Sequence, residues 1–472
     1  MAKKYDLIVV GGGPAGYAAA IRAGQLKKRV LCVEKENLGG TCLNWGCIPT
    51  KALLDAGALV RKVQHEAAEF GVSFDGVKVD FQAPIQRSRK IAGRLNKGIA
   101  HLFSKYRVEH VIGTGRVVAK HKVEWKTPEG KTESAEAERL LIATGARARD
   151  LPGMQIDREK IISSREAMVL EKQPKRLAII GAGAIGCEFA DFYNAMGTEV
   201  TIVEFLPHLL PNEDEDCSIL LERIFKKRGI KIMTGSKTTK IEKTKDGVVL
   251  TVLPADESKG KDEQKLEADI CLMAVGVTGN IEGLFEDKLG VTIEKGHVKV
   301  NEKYETNVPG IWAVGDVIGP PWLAHVAHHE AVYCVERMFG VSDHSIDYNQ
   351  IPGCTYTHPS VASMGMTEKK AREADATREL KIGKFPFSAS GRALAAGETD
   401  GFVKLIFDAQ TGEMLGAHMI GENVTELLAE LVLARKLEAT EAEIIEAMHP
   451  HPTLSEAVME AAGVADGRAI HL

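Results

Sequence analysis

The chain has 472 residues, enough for about three domains of ordinary size. Hydrophobic residues make up 44% and charged residues 26% of it, and the net charge is −5, which excludes a basic nucleic-acid-binding surface as the main feature. No apolar run approaches the roughly 18 residues that a membrane-spanning helix needs, and no separate targeting segment precedes the first predicted strand. We therefore expect a globular protein of the cytoplasm.

The first predicted site is a glycine turn, Gly11 to Gly16, between a strand-like run and an alanine-rich helical run. Gly11 permits a tight turn, Gly13 lets the backbone approach a pyrophosphate, and Gly16 lets the helix pack closely on the strand. The next strand ends at Glu34, about 20 residues further on, where a carboxylate can accept hydrogen bonds from a ribose diol. Together these features predict a dinucleotide site.

Two cysteines, Cys42 and Cys47, are separated by four residues and precede a helical run that we expect to continue to near Glu69. At the first turn of a helix, unpaired N–H groups and the helix dipole favour thiolate over thiol, so the pair is a candidate redox disulfide. The alternatives are half of a zinc site and inert buried cysteines. Lys51, one turn past Cys47, is either a surface lysine or a cation near the electron acceptor.

A second amphipathic helix, a small β meander and a buried strand follow. The helix is predicted over Phe81 to Tyr106, and the strand ends in the small residues Ala143-Thr144-Gly145, where a bulky ligand could approach the backbone. Leu151-Pro152-Gly153 is typical of a linker.

The strand, glycine turn, helix, strand and acid recur 170 residues later. Here the turn is Gly181 to Gly186 and the acid is Glu204. Two such sites imply two dinucleotides, most simply one held tightly and one exchanging. The Glu204 carboxylate would repel a 2′-phosphate and Phe205 supplies no cation, so the second cofactor should be NAD. Glu188, near the start of the helix, is explained by the helix dipole alone.

Asp316 lies at the end of another buried strand, where open α/β sheets bind polyol hydroxyls. Leu323-Ala324-His325 begins the next helix, whose N-terminus could face a cofactor ring. The acidic run Glu213 to Asp216 is interpreted as a solvated face or a helix start.

From Tyr348 the glycine turns stop, and alternating strands and helices predict a separate α+β domain. His451, between two prolines, is a candidate base that Glu456 could orient and stabilise. Thr453 to Glu456 is also a capping box for the last helix, so Glu456 could serve both purposes. For His449, which has no suggested partner, we expect a surface position.

The whole chain closely resembles the flavin-dependent disulfide oxidoreductases. The resemblance is carried by the stretch Gly39 to Lys51, both glycine turns, Ala143-Thr144-Gly145, the segment Thr306 to Asp316, and His451 to Glu456. It implies an α/β fold with two Rossmann-like dinucleotide-binding domains and a C-terminal α+β dimerisation domain. The implied bounds are 1–150 and 277–347 for the FAD-binding domain, 151–276 for the NAD-binding domain and 348–472 for the interface domain.

The resemblance also implies cofactor contacts and roles. FAD would be held by Gly11, Gly13, Gly16, Glu34, Gly40, Thr41, Cys42, Lys51, Gly115, Thr144, Gly145, Asp316, Ala324 and His325. NAD would be held by Gly181, Gly183, Ala184, Ile185, Gly186, Glu204 and Gly276, and no metal is expected. Cys42 and Cys47 would be the redox disulfide, His451 with Glu456 the base of the other subunit, and Lys51 with Glu188 an ion pair beside the flavin.

The implied reaction is oxidation of a protein-bound dihydrolipoyl group with reduction of NAD, by a homodimer. Its partners would be the lipoyl domains of an acyltransferase or of the glycine cleavage carrier protein, without nucleic acid or membrane. One alternative is a glutathione-reductase-like enzyme, which should have cations where Glu204 and Phe205 stand. Another is a mainly structural component of a multienzyme complex.

Overall fold

The computed structural model describes residues 4–256, 258, 260 and 262–472. The α-helices are, in chain order, α1 (Pro14–Gln25), α2 (Gly40–Trp45), α3 (Cys47–Arg61), α4 (Gln82–Lys105), α5 (Ser164–Ala167), α6 (Ala184–Ala195), α7 (Glu215–Lys227), α8 (Ala324–Met338), α9 (Glu368–Ala374), α10 (Gly391–Ala396), α11 (Val424–Lys436), α12 (Glu441–Glu446) and α13 (Glu456–Ala465).

The first half of the strands comprises β1 (Lys4–Val10), β2 (Val30–Glu34), β3 (Val108–Ile112), β4 (Thr114–Ala119), β5 (Lys122–Lys126), β6 (Thr132–Ile142), β7 (Ala146–Ala148), β8 (Ile161–Ile162), β9 (Arg176–Ile180), β10 (Glu199–Val203), β11 (Lys231–Met233) and β12 (Ser236–Lys243). The second half comprises β13 (Val248–Pro254), β14 (Gln264–Ala268), β15 (Ile270–Met273), β16 (Val277–Gly279), β17 (Ile293–Glu294), β18 (His297–Val298), β19 (Ile311–Ala313), β20 (Gly353–Thr355), β21 (Ser360–Gly365), β22 (Leu380–Pro386), β23 (Phe402–Asp408) and β24 (Met414–Gly421).

The chain forms two compact units, and the first comprises Met1–Ala52, Gln82–Arg149 and Gly276–Ile346. Its main sheet has the order β3-β2-β1-β6-β5-β4, with β19 also paired to β6. Strands β3, β2, β1, β6 and β19 run parallel, so their carboxyl ends lie at one edge, where ligands of such sheets bind. Alanines of α1 are buried with apolar residues of β1 and α8, which brings the helix close to the sheet.

The second unit comprises Leu53–Phe81, Asp150–Val275 and Asp347–Leu472. It contains a parallel sheet of order β11-β10-β9-β15-β8, the antiparallel sheet β12-β13-β14, and an antiparallel sheet of order β20-β21-β24-β23-β22. Helices α11 and α13 pack on that last sheet. The approach of α13 is close, because a Cβ at Gly383 would stand 1.7 Å from the Ala461 carbonyl oxygen.

The predicted fold class is confirmed: two strand, glycine turn and helix units lie in parallel sheets, followed by an α+β region. The predicted helix over Phe81 to Tyr106 is α4, shorter by one residue at each end. Within the described residues, no helix combines the length and the apolar character needed to cross a bilayer.

Candidate active site

The first glycine turn has the geometry that its sequence predicts. Gly11 has φ of +105°, and a Cβ there would stand 2.2 Å from the Ala143 carbonyl oxygen. A Cβ at Gly16 would lie 1.8 Å from the Gly11 carbonyl oxygen, so only glycine allows α1 to approach β1 this closely. At Gly13 the nearest atom is the Cα of Gly40 at 3.7 Å, which leaves the N-terminus of α1 open to a phosphate.

Backbone N–H groups fix the orientation of Glu34, the acidic residue of the first site. Glu34 ends β2, and its two carboxylate oxygens accept hydrogen bonds from Gly12 N at 2.6 Å and Glu36 N at 2.7 Å. Burial raises the pKa of this carboxyl, although the backbone donors oppose the shift. The held carboxylate keeps lone pairs for a diol, so the residues present fit the ribose and pyrophosphate of a dinucleotide.

The second turn repeats this arrangement residue by residue. Gly181 has φ of +99°, and a Cβ at Gly186 would stand 2.0 Å from the Gly181 carbonyl oxygen. Glu204, buried at the end of β10, accepts hydrogen bonds from Ala182 N at 2.6 Å and Leu206 N at 2.7 Å. Ala184 and Ile185 open α6. The residues of this turn therefore fit a second dinucleotide.

The two cysteines lie on two separate helices. Cys42 is in the short helix α2, Cys47 is the first residue of α3, and Gly46 with φ of −152° interrupts the chain between them. Residues five apart on one α-helix point about 140° away from each other, so the interruption is what lets the two side chains meet. The Cys42 thiol is hydrogen-bonded to Cys47.

The prediction of a thiolate is wrong for Cys42. The hydrogen bond with Cys47 and burial raise the pKa of this thiol, and Lys51 opposes them without reversing the direction. The helix N-terminus that would favour thiolate belongs to α3 and begins at Cys47. The pKa of Tyr17 is also raised, by burial and by the two cysteines, so this tyrosine lies beside the pair. The sequence signal that could have identified Tyr17 is that it is the single aromatic residue of α1.

The backbone around the pair is shaped by Asn44, which the sequence did not single out. Its buried amide nitrogen donates to the carbonyl oxygens of Gly40 at 2.9 Å and Leu38 at 3.2 Å. Gly40 itself has φ of +54°, and a Cβ there would stand 2.5 Å from the Cα of Gly13. Gly40 and Thr41 open α2, so this helix starts next to the first glycine turn.

Asp316 follows β19 in a short 3₁₀ turn at the same sheet edge. Burial raises its pKa to about 6. Beneath the turn the Glu330 carboxylate, only 3% exposed, accepts a hydrogen bond from Gly315 N at 2.7 Å. The sequence did not identify Glu330, although an acid two turns into a helix that packs on the sheet is a usable signal. Ala324 and His325 are the first two residues of α8.

The remaining predicted cofactor residues also lie in the first unit. Thr144 and Asn280 hold each other: the Thr144 hydroxyl donates to the Asn280 carbonyl oxygen, and the Asn280 side chain donates to the Thr144 carbonyl oxygen, both at 2.9 Å. Gly145 has φ of +69° in open space, whereas a Cβ at Gly115 would stand 2.9 Å from Val10. Gly276, predicted for NAD, has φ of +97°.

The candidate base and its carboxylate form a bonded pair in the second unit. His451 Nδ1 lies 2.8 Å from Glu456 Oε1, and the other oxygen of Glu456 accepts from Thr453 N at 2.9 Å. The His451 side chain is 80% exposed, so Nε2 faces solvent. Burial raises the pKa of Glu456, but the hydrogen bonds from the Thr453 N–H and the His451 ring outweigh burial and hold this pKa below its usual range. The peptide bond between His451 and Pro452 is cis.

Two further expectations of this region need correction or qualification. The surface position expected for His449 is wrong, since its side chain is 5% exposed and Nε2 lies 2.7 Å from Glu430 Oε1. Only half of the capping box forms: Glu456 accepts from the Thr453 backbone, while the Thr453 hydroxyl donates to the Pro450 carbonyl oxygen.

Glu188 is buried in α6, and its Oε1 accepts a hydrogen bond from Tyr356 N at 3.0 Å.

The predicted site residues are divided between the two units. The first unit brings together Cys42, Cys47, Lys51, Asp316 and the first glycine turn. The second unit contains the second turn, Glu188 and the His451 pair.

Residues 5–331 match the family described as pyridine nucleotide-disulphide oxidoreductase, and residues 351–462 match the dimerisation domain of the same family. The chain belongs to the pyridine nucleotide-disulphide oxidoreductase family. It is therefore an oxidoreductase, and FAD and NAD, as predicted, are the cofactors of this family. It also contains the domain through which the family dimerises.

Individual relatives resemble this oxidoreductase over their full length. A dihydrolipoyl dehydrogenase of Zymomonas mobilis is 45% identical, and one of Rhizobium etli is 44% identical, each over the whole of both chains. The crystal structure of LpdA from Mycobacterium tuberculosis has a TM-score of 0.89 at 27% identity, covering 97% of this chain and 98% of that one.

Proposed function

We propose that this family member acts as a dihydrolipoyl dehydrogenase, which oxidises protein-bound dihydrolipoamide and reduces NAD⁺. The observation that carries the proposal is the hydrogen-bonded pair Cys42 and Cys47 on two helices beside a dinucleotide turn. Two thiols in contact can close to a disulfide with little backbone movement, and a disulfide is the group that a dithiol substrate reduces by exchange.

The protein residues supply the proton transfer and the sulfur exchange. His451 Nε2 removes a proton from one substrate thiol, and Glu456 stabilises the imidazolium through Nδ1. The resulting thiolate attacks Cys42 Sγ in the oxidised enzyme, the bond between the two cysteines breaks, and the electron pair moves to Cys47. The second substrate thiol then displaces Cys42, which releases a cyclic lipoyl disulfide and leaves both cysteines reduced.

FAD, when bound, supplies the two-electron relay from the reduced cysteines to NAD. Gly11, Gly13, Gly16 and Glu34 fit its dinucleotide part, and Asp316 lies where it could bind a polyol hydroxyl. The corresponding residues for NAD are Gly181 to Gly186 and Glu204. Lys51 and Glu188 are proposed as an ion pair near the flavin. For the other residues that the sequence analysis assigns to FAD or NAD, we propose the same contacts.

The proposal includes the assembly and the domain bounds. His451 of one subunit would serve the disulfide of the partner subunit in a homodimer, with 348–472 as the interface domain, 151–276 as the NAD-binding domain, and 1–150 with 277–347 as the FAD-binding domain. The substrate dithiol would be carried by a lipoyl domain of an acyltransferase or of the glycine cleavage carrier protein. A cytoplasmic location is also part of the proposal.

The test compares two substrates and two variants of the purified yellow protein. We expect rapid NAD⁺ reduction with dihydrolipoamide and, in the NADPH-driven direction, negligible reduction of glutathione disulfide. Cys47→Ser should retain FAD and lose dihydrolipoamide oxidation by about 10³-fold or more, because no disulfide can form. His451→Gln should lower the same rate by about 10²- to 10⁴-fold and leave NADH oxidation by an artificial dye unchanged.

The outcomes separate the alternatives. Dihydrolipoamide turnover by Cys47→Ser at the wild-type rate would remove the disulfide from the mechanism. Preference for glutathione disulfide would favour the glutathione-reductase-like alternative. A protein that binds an acyltransferase core but turns over neither substrate would be a structural component.

A further inference from the structure

The segment from Ala447 to Ser455 joins α12 to α13 and carries the proposed base. It contains no α-helix or β-strand, and the His451 side chain is 80% exposed. Within its own unit the ring is held by the hydrogen bond from Nδ1 to Glu456, 2.8 Å long, and not by close packing. The position of His451 therefore also depends on how the two ends of the segment are held.

The C-terminal end is held by α13. Thr453 N donates to Glu456 Oε2 at 2.9 Å, and the Thr453 hydroxyl donates to the Pro450 carbonyl oxygen at 2.7 Å. Helix α13 in turn lies on β22 at the close contact over Gly383. This end is therefore tied to the core of the unit.

The N-terminal end is held by His449. Its side chain is 5% exposed, its Nε2 lies 2.7 Å from Glu430 Oε1 on α11, and its Nδ1 lies 2.8 Å from the Ala447 carbonyl oxygen. Each ring nitrogen of His449 is thus within hydrogen-bond distance of an oxygen, so the side chain is held between α11 and the Ala447 carbonyl group.

We propose that His449 and Glu430 form a positioning pair, which holds the segment on α11 and thereby aims His451 at the substrate thiol. The inference rests on the proposed function and deepens it, because it assigns residues that act through the base. Neither His449 nor Glu430 takes part in bond making. The bonds to α11 and α13 hold His449 and Thr453, each two positions from His451, so loss of the bond to α11 lets the backbone of His451 shift relative to the substrate thiol.

The experiment measures two rates in the holoenzyme: dihydrolipoamide oxidation by NAD⁺, which needs the base, and NADH oxidation by an artificial dye, which does not. His449→Leu removes both ring contacts. We expect kcat for dihydrolipoamide to fall about 10- to 100-fold, because misplacing a catalytic group by about 1 Å has effects of this size. The dye rate, FAD content and KM for NAD⁺ should stay within about twofold of the wild type.

Three more variants test the pairing itself. Glu430→Leu should reproduce the loss, and the double variant should be no slower than either single one, since both remove one interaction. Glu430→Gln keeps an acceptor oxygen and should recover most of the rate. His121→Gln is the matched control, because its exposed ring also contacts a carbonyl oxygen, that of Glu138, but lies in the other unit.

Three results would overturn the inference. One is a dihydrolipoamide rate within about twofold of the wild type in both leucine variants. Another is an equal loss of both rates or of FAD, which would indicate a general structural role. The third is additive losses in the double variant. The wild-type rate with dihydrolipoamide tests the proposed function separately, because the inference is judged on the ratio of variant to wild type.

Discussion

The two glycine turns have nearly the same backbone and differ in what covers them. In the first, the Cα of Gly40 stands 3.7 Å from where a Cβ of Gly13 would be, because α2 begins beside the turn. In the second, no described atom beyond the chain neighbours lies within 4 Å of the equivalent position at Gly183. The glycine pattern is therefore common to both sites, whereas a helix that begins beside the turn is found, among the described residues, at the first site.

The largest effect should come from a methyl group at the third glycine of each turn. At Gly16 and Gly186 the added Cβ would stand 1.8 Å and 2.0 Å from a carbonyl oxygen. Displacing backbone should cost about 3 kcal/mol or more of unfolding free energy locally. We expect Gly16→Ala to purify without FAD, and Gly186→Ala to stay yellow while losing NAD⁺ reduction.

The absorbance ratio of flavin to protein and the thermal midpoint check this pair of variants. If Gly186→Ala loses FAD as readily as Gly16→Ala, the two turns do not act as independent sites, and the assignment of FAD to the first turn and NAD to the second is contradicted.

The second prediction concerns Asp316, which has no counterpart at the second turn. Burial raises the pKa of Asp316 from its usual 3.8 to about 6, so the charged form lowers stability at neutral pH. With allowance for partial exposure, Asp316→Asn should raise the unfolding free energy of FAD-free protein by about 2 kcal/mol at pH 7. The gain should shrink as the pH falls through about 6 and vanish below 3.8.

Denaturant unfolding of both FAD-free proteins across this pH range is the measurement. The same substitution should weaken FAD retention, because the carboxylate is a proposed ligand. A variant that is less stable than the wild type at pH 7 would show that Asp316 is not a buried charge held for the cofactor.

The acid of the second turn should have a smaller effect that is confined to NAD. In Glu204→Gln, one of the two backbone donors, Ala182 N or Leu206 N, faces an amide NH₂ in place of an oxygen. We expect KM for NAD⁺ to rise about 10- to 100-fold, corresponding to roughly 1.5–3 kcal/mol for a hydrogen bond to a charged group. Steady-state kinetics at saturating dihydrolipoamide give this value. The flavin content of the variant should match that of the wild type. An unchanged KM for NAD⁺ would show that Glu204 does not bind the ribose.

The smallest effect on stability should come from Gly183→Ala. Nothing described obstructs its methyl group, so the unfolding free energy should change by less than about 0.5 kcal/mol. The methyl group would nevertheless stand where the pyrophosphate approaches, and KM for NAD⁺ should rise. Gly13→Ala is the matched variant, which should lose FAD at similar stability. Equal KM values in Gly183→Ala and the wild type would show that NAD does not approach this residue.

Features that depend on residues close together in the sequence could be predicted well. Both turns, their acids and the helices that follow depend on residues within about 25 positions, and each residue type permits few backbone conformations. The two turns are offset by 170 residues, and their hydrogen bonds repeat at the same offset: Gly12 N donates to Glu34, and Ala182 N donates to Glu204.

The misses depend on partners that are distant in sequence. Asp214, in the acidic run expected to be solvated or to start a helix, does cap α7, but it is buried against Lys404 at 2.9 Å. His449 was expected at the surface because Glu430 is nineteen positions away and shares no motif with it. The pKa of Cys42 was predicted in the wrong direction because the hydrogen bond to Cys47 depends on the break at Gly46.

The break at Gly46 also limits how much of the molecule moves in each catalytic cycle. Closing the bond between two touching sulfurs shortens their separation by less than about 2 Å. Because Cys42 lies on a helix of six residues that ends before α3 begins, this adjustment can be absorbed by α2 alone. Because of the interruption at Gly46, closure of the bridge does not require the helical hydrogen bonds of α3 to change.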